Sequence, residues 1–315
     1  MSGLYYNALL FQRGSKSLNT RTKLIYNPAA GKGAAEKNYP KVQAALAQYG
    51  LEYDVTFTEG PGHGQELARK AAEDGYDLVI AAGGDGTVNE VINGLLDGQH
   101  QTPLAILPAG TANDFAFSLK IPRDTARYCA MIRKFRILPV DAGRAGTACF
   151  HNVAAGGMLT DVAYKVPSDI KTVLGRMAYI LSGAIDLPAQ LCRSIPISIR
   201  SEEKNIDDDI LLFIVSNTQS VGGFRRLAPR ASVSDGLLDV LVIHRQGIFD
   251  LLPLLVQMVN GEHLNNSRVS YFQTKRLEIS SREKNPVKLD LDGEEGAGLP
   301  AVISAIPAAI RLLVP

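Results

Sequence analysis

Cysteine is scarce in this sequence. Cys129, Cys149 and Cys192 are the only three in 315 residues, they lie far apart, and no CxxC or Cys/His metal spacing accompanies them. An odd, scattered set argues against a disulfide framework and against a zinc site, and it fits a reducing, cytoplasmic compartment. An excess of either charge is lacking as well: 33 Lys and Arg against 32 Asp and Glu leave a formal net charge of +1. That balance argues against a nucleic-acid partner, and any attraction to an anionic membrane has to come from a local patch. Long apolar runs are missing. The greasiest stretch, Leu251 to Val259, contains Pro253 and is much shorter than the ~18 residues needed to cross a bilayer. Residues 1–21 have no signal-peptide layout, because the short apolar stretch from Ala8 to Phe11 follows no basic segment; they read as an N-terminal arm.

What is present is a change of pattern part-way along the chain. Leu24 to Tyr26 reads as a strand, followed by a helix with Val42, Ala45, Leu46 and Tyr49 on one face and Gly50 as its stop. Pro40 suits only a first turn, so that helix is expected to begin near Asn38. Tyr53 to Thr58, Asp77 to Ala82 and Leu104 to Leu107 read as further strands. Between them lie helices over 64–74 and after Gly86, the latter with Val88, Val91, Ile92 and Leu95 inward. Alternating strands and helices indicate an open α/β sheet. Beyond Val140 come short apolar or alternating runs, at Cys149–Ala154, Ile195–Arg200, Ile210–Ser216, Leu237–Ile243, Arg276–Ile279 and Val287–Leu291, which indicate an antiparallel β domain. Helical segments at Lys171–Leu187 and Ile248–Asn260 interrupt it. The domains are therefore placed at 22–139 and 140–304, with 305–315 as a candidate to return to the first.

Three strand ends in the first half carry glycine turns. They are Asn27-Pro28-Ala29-Ala30-Gly31-Lys32-Gly33, then Gly83-Gly84-Asp85-Gly86-Thr87-Val88-Asn89-Glu90, then Pro108-Ala109-Gly110-Thr111-Ala112-Asn113-Asp114-Phe115. Glycine lets backbone approach a ligand closely, and a helix N-terminus beyond such a turn suits phosphate. Ligands of open α/β sheets bind at the carboxyl ends of the strands. Asp85 repels phosphate unless a divalent cation or a proton intervenes, so it indicates magnesium or acid–base work. Each turn alone is equally well a capped strand–helix junction; three at one sheet edge favour a nucleotide site. Neither a Walker A loop nor a GxGxxG fingerprint is present.

These residues, with Thr58 in Thr-Glu-Gly-Pro-Gly-His, Ser234-Asp235-Gly236-Leu237-Leu238-Asp239 and Leu291-Asp292-Gly293-Glu294, resemble the diacylglycerol kinase catalytic-domain family, from about residue 22 to the end. The family also includes sphingosine and ceramide kinases. The resemblance implies an N-terminal α/β domain like that of NAD kinases and a C-terminal β-sandwich domain, with ATP in the cleft between them. It implies that Asn27, Pro28, Ala29, Ala30, Gly31, Thr58, Gly84, Asp85, Gly86, Thr87, Val88, Asn89, Glu90 and Thr111 contact ATP. It makes Glu294 the general base, with Asp85 beside it organising catalytic Mg2+. It makes Ser232, Asp235 and Leu237 a second, structural metal site.

The function so implied is transfer of the ATP γ-phosphate to the hydroxyl of diacylglycerol or a related lipid. The partner is then a membrane lipid, met peripherally at the inner membrane surface, and a homodimer through the β domain is compatible with the resemblance. Read without it, Asp292-Gly293 is a hairpin turn with Glu294 as a solvated neighbour, and Asp235 belongs to a capped turn. Two other functions stay open on the sequence: a kinase of a soluble compound on the NAD kinase pattern, and a catalytically silent lipid- or nucleotide-binding regulator. The segment from Met158 to Leu191 is a candidate lipid entrance, and Lys32 a candidate phosphate-binding cation.

Overall fold

The structure is a computed structural model, and it describes residues 12–13, 20–31, 33–98, 101–111, 113–157, 194–222, 224–283 and 287–315. The expected helix at Lys171–Leu187, the Met158–Leu191 segment and Lys32 lie outside the described residues. The chain divides into two units, one reaching Val140 and taking Ala308–Pro315 from the far end, the other Asp141–Pro307.

The first unit is a parallel sheet flanked by helices. Its strands are β2 (Thr22–Tyr26), β3 (Asp54–Phe57), β4 (Leu78–Gly83) and β5 (Leu104–Pro108), with the end of β16 (Ala301–Leu313) added beside β5. The order is β3-β2-β4-β5-β16, and every pairing among them is parallel. All six residues of the central β4 are buried, which explains its unbroken apolar run. The connecting helices are α1 (Ala34–Gln48), α2 (His63–Glu73), α3 (Asp85–Asp97), α4 (Asp114–Ser118) and α5 (Thr125–Lys134). The apolar stripe expected of α3 is the one it buries.

Two expectations need correction. α1 begins at Ala34, not near Asn38, and holds Pro40 inside it. The proline removes one backbone donor and crowds the Glu36 carbonyl, but both residues are exposed, so water can serve the displaced carbonyl. Within the segment read as an arm, Gln12–Arg13 form a short strand β1 that pairs antiparallel with Arg136 and Ile137. The end of α1 follows expectation: Gly50 has φ +68°, Gly50 N–H donates to Ala47 O and Leu51 N–H to Leu46 O, a left-handed stop that satisfies the last carbonyls.

The second unit is an antiparallel β-sandwich. It contains β6 (Arg136–Ala145) from Asp141 onward, β7 (Ala148–Phe150), β8 (Val153–Gly157), β9 (Ile195–Ser201), β10 (Asn205–Ser216), β11 (Leu238–His244), β12 (Val269–Thr274), β13 (Arg276–Ser281), β14 (Lys288–Leu291) and β15 (Glu294–Gly298), with the start of β16. The long β10 shifts register between Ile210 and Leu212; its first half pairs β9 and its second half β8, while β11 runs along its other edge. One face of these strands closes over Phe150, Phe213, Val240 and Leu277, and the other packs under α6 (Ile248–Asn260) through Leu251, Leu254 and Met258. The run Cys149–Ala154, expected as one strand, is two strands broken at His151 and Asn152. Among the described residues, no helix is long and apolar enough to cross a membrane.

The return of the chain end to the first unit is specific. Leu312 is fully buried in register with Leu104, Arg311 Nη1 donates to Gln101 O, and Val314 N–H donates to Arg136 O. Leu312→Ala is expected to cost about 2–5 kcal/mol of stability, read as a lower denaturation midpoint at unchanged slope.

Candidate active site

In the first unit, β2, β4 and β5 are parallel, so the three glycine turns lie along one edge of the sheet. They are knitted together by backbone. Asn27 N–H donates to Ala82 O (2.9 Å), and Ala109 N–H and Gly110 N–H both donate to Gly83 O (2.9 and 3.1 Å). Asn27 also spends its side chain here: Nδ2 donates to Thr87 Oγ1 (2.8 Å) and Oδ1 accepts Ala29 N–H (2.9 Å). The fit leaves no room for side chains at two places. A Cβ on Gly110 would stand 2.5 Å from Gly84 Cα, and one on Gly31 would stand 2.7 Å from Ala109 O. Both are far inside van der Waals contact with backbone, which cannot swing aside.

The turn after β4 feeds α3, whose first N–H groups lack partners within the helix and face the same edge. Asp85 is the first residue of α3, partly exposed, and its Oδ2 accepts Asn113 N–H at 2.8 Å. Asn113 is buried with φ +55°; its Oδ1 accepts Gly110 N–H (3.1 Å) and its Nδ2 donates to Gly110 O (2.6 Å). Asn113 therefore ties the third turn to the Asp85 carboxylate.

The other expected nucleotide contacts differ in what they offer. Thr87, Val88 and Asn89 bury their side chains, and Asn89 Oδ1 accepts from Asn93 Nδ2 (2.9 Å), so these positions present main chain to a ligand. Glu90 uses both carboxylate oxygens on Gly62 N–H and Gly64 N–H (2.8 Å each), clamping the start of α2. Thr58, Pro28, Ala29 and Gly86 are at least partly exposed, Ala30 is buried, and Thr111 is exposed. Thr58 N–H donates to Tyr26 O (2.9 Å), which brings its residue to the end of β2.

In the second unit, β14 and β15 form a hairpin in which Leu291 pairs with Glu294 across a two-residue turn, Asp292-Gly293, with φ +55° and +92°. Those angles are those of the tight turn that matches strand twist. Glu294 is exposed at the start of β15. Asp292 is not solvated. Its Oδ1 accepts Asn152 N–H (3.0 Å) and Val153 N–H (2.7 Å), and its Oδ2 accepts His151 N–H (2.8 Å) and stands 2.7 Å from His151 Nδ1. Sequence reasoning missed His151, Asn113 and this use of Asp292. The Asp-Gly pair signalled the turn, but no local pattern joins His151 to a residue 141 positions away.

The residues expected to hold a structural metal fall together with further acids. Asp235 Oδ1 accepts Leu237 N–H (3.0 Å), and buried Asp141 accepts Gly236 N–H (2.7 Å) at Oδ2. Burial pushes the Asp235 carboxyl up, and repulsion from Asp141 adds to it. Asp239 is pushed up to about 6, first by burial and further by Asp235, against the hydrogen bonds from Tyr271 and Gln273. Mutually repelling carboxylates from the Asp235 turn, β6 and β11 suit a hard cation. Among the described residues no three His, Cys, Asp or Glu side chains gather as a metal cage, so such a cation would draw on carbonyls such as those of Ser232 and Leu237 and on water.

Comparison with known proteins agrees with this architecture. Residues 21–145 match the family model described as the diacylglycerol kinase catalytic domain, and residues 153–314 match that of the YegS C-terminal NAD kinase beta sandwich-like domain. The diacylglycerol kinase of Bacillus subtilis (strain 168) is 36% identical over 296 residues, covering 94% of this chain and 96% of that protein. The diacylglycerol kinase of Staphylococcus aureus (strain JH9) is 34% identical over 284 residues, covering 90% and 89%. The crystal structure of a diacylglycerol kinase from Bacillus anthracis str. Sterne superposes with a TM-score of 0.75 at 25% identity, covering 95% of this chain and 98% of that one. With both of its units matched by these family models and most of its length shared with these relatives, the chain belongs to the diacylglycerol kinase family and is an ATP-dependent lipid kinase.

Proposed function

We propose that this kinase phosphorylates the hydroxyl of diacylglycerol or a closely related lipid, meeting its substrate peripherally at the cytoplasmic surface of the membrane. The observation that carries this reading is the edge of glycine turns with Asp85 at the head of α3, in a chain whose relatives are named diacylglycerol kinases. The first-turn N–H groups of α3 bind the triphosphate, with the Asn27–Gly31 and Gly110–Thr111 turns lining it closely. The transferring phosphoryl group carries its charge on its outer oxygens, so fixed donors already in place lower the barrier without reorganising. Divalent Mg2+, when bound, supplies the positive charge that lets Asp85 sit beside those oxygens; Asp85 fits it because its Oδ2 is already oriented by Asn113.

Glu294 serves as general base. A lipid hydroxyl has a pKa far above neutral and needs its proton removed as its oxygen attacks the γ-phosphorus and ADP departs. An exposed carboxylate on a stiff two-residue hairpin suits that task, which is typically worth ~10²–10⁴-fold. Ser232, Asp235 and Leu237 hold a second Mg2+ with a structural role.

Two measurements check these assignments. Purified protein with radiolabelled ATP and a panel of diacylglycerol, ceramide, sphingosine and NAD should place label in the organic extract of the diacylglycerol reaction; label in NADP instead would overturn the lipid assignment. In that assay Asp85→Asn and Glu294→Gln should each lose at least ~10²-fold in kcat while keeping their melting temperatures, and full turnover in either removes that residue from the mechanism. Separately, millimolar Mg2+ without nucleotide should raise Tm by mass action, and Asp235→Ala should abolish that rise. An unaltered rise in the variant places the cation elsewhere.

A further inference from the structure

We infer that His151 is a positioning residue for catalysis, acting through Asp292 on the hairpin that carries Glu294. The inference rests on the reading of Glu294 as general base. Three successive backbone N–H groups, of His151, Asn152 and Val153, converge on one carboxylate, an arrangement that makes a concave anion site out of main chain. The anion that fills it is the chain's own Asp292. The His151 ring stands against it as well, with Nδ1 2.7 Å from Asp292 Oδ2. Both side chains are buried, at 1% and 2% exposure, so solvent cannot substitute for either.

The site is braced from behind. Asn217 Nδ2 donates to His151 O (3.0 Å) and to Asp141 O (2.8 Å), Asn217 N–H donates to Asn152 O (2.9 Å), and Thr218 Oγ1 bonds to Asn152 Oδ1. Asp292 N–H in turn donates to Val153 O (2.9 Å), closing the loop between turn and strand. Asp292 is the first residue of the turn and Glu294 the residue that follows it, so Glu294 inherits its position from this clamp. A turn residue with φ +55° is costly for a non-glycine side chain, and its side-chain bonds are what offset the cost. The His151 ring supplies the one contact of the four that substitution can remove without touching backbone.

The test uses full-length His151→Leu, His151→Asn and Asp292→Asn, assayed with diacylglycerol in mixed micelles at varied ATP, with Glu294→Gln alongside. Loss of the ring contact lets the hairpin drift, and a misplacement near 1 Å costs ~10²-fold. His151→Leu and Asp292→Asn should therefore lose ~10–10²-fold in kcat per folded molecule, with KM for ATP changed less than about twofold. His151→Asn, whose side-chain amide can restore a polar contact with Asp292, should recover most of the loss. A merely structural role predicts something different: lower Tm with kcat per folded molecule intact, or equal behaviour of the Leu and Asn variants. Either result overturns the inference. If His151→Leu does not fold, Asp292→Asn and His151→Asn decide alone: Asp292→Asn with wild-type kcat overturns it. Full activity in Glu294→Gln would instead bring down the general-base reading beneath it.

Discussion

The nucleotide-binding unit depends on backbone meeting backbone. Gly84 and Gly110 come so close that a single added methyl would lie 2.5 Å from the opposing α-carbon, and the carbonyl of Gly83 accepts two N–H groups from the turn opposite. That contact fixes where α3 begins, hence where its unpaired N–H groups aim, and it fixes the height of Asn113, which holds the Asp85 carboxylate. Side chains cannot set such a geometry, because rotamers would blur it by more than the contact allows. In the proposed reaction, donors held by packing at this edge would not have to reorient when phosphoryl charge moves.

The two acids assigned to chemistry are anchored by different means. Asp85 has its own carboxylate pinned, by an N–H from the neighbouring turn, and so keeps a fixed direction beside any cation it meets. Glu294 is exposed at the start of its strand, and the anchoring falls on Asp292, two residues earlier, whose oxygens are both engaged by His151–Val153. In the proposed role of base, Glu294 gains a fixed root from this anchoring.

Much of this was legible in the sequence, and the illegible parts share a cause. The stripe Val88, Val91, Ile92, Leu95 foretold α3, and the unbroken run of β4 foretold a strand buried on both faces. Gly50 marked the end of α1, yet Pro40 misplaced its start, because an exposed proline inside a helix is tolerated where water can serve the displaced carbonyl. Asp124, whose carboxylate accepts Arg127 N–H at 2.9 Å, marks the start of α5 as an N-cap residue. Cys149–Ala154 looked like one strand since both sides of the break are apolar; the break is created by Asp292 and Asn217, and nothing local announces partners so distant. Glycine turns could be identified one by one, whereas their mutual fit is a property of the sheet that aligns them.

The closing strand of the first unit is translated after the whole of the second. Residues 308–315 add the last parallel strand beside β5, bury Leu312 and secure Arg136 through its bond to Pro315 O. During synthesis the parallel sheet therefore keeps an open apolar edge at β5 until residues 308–315 are added. A chain truncated before them leaves that edge unpaired, and an unpaired strand edge is a template for association with other chains.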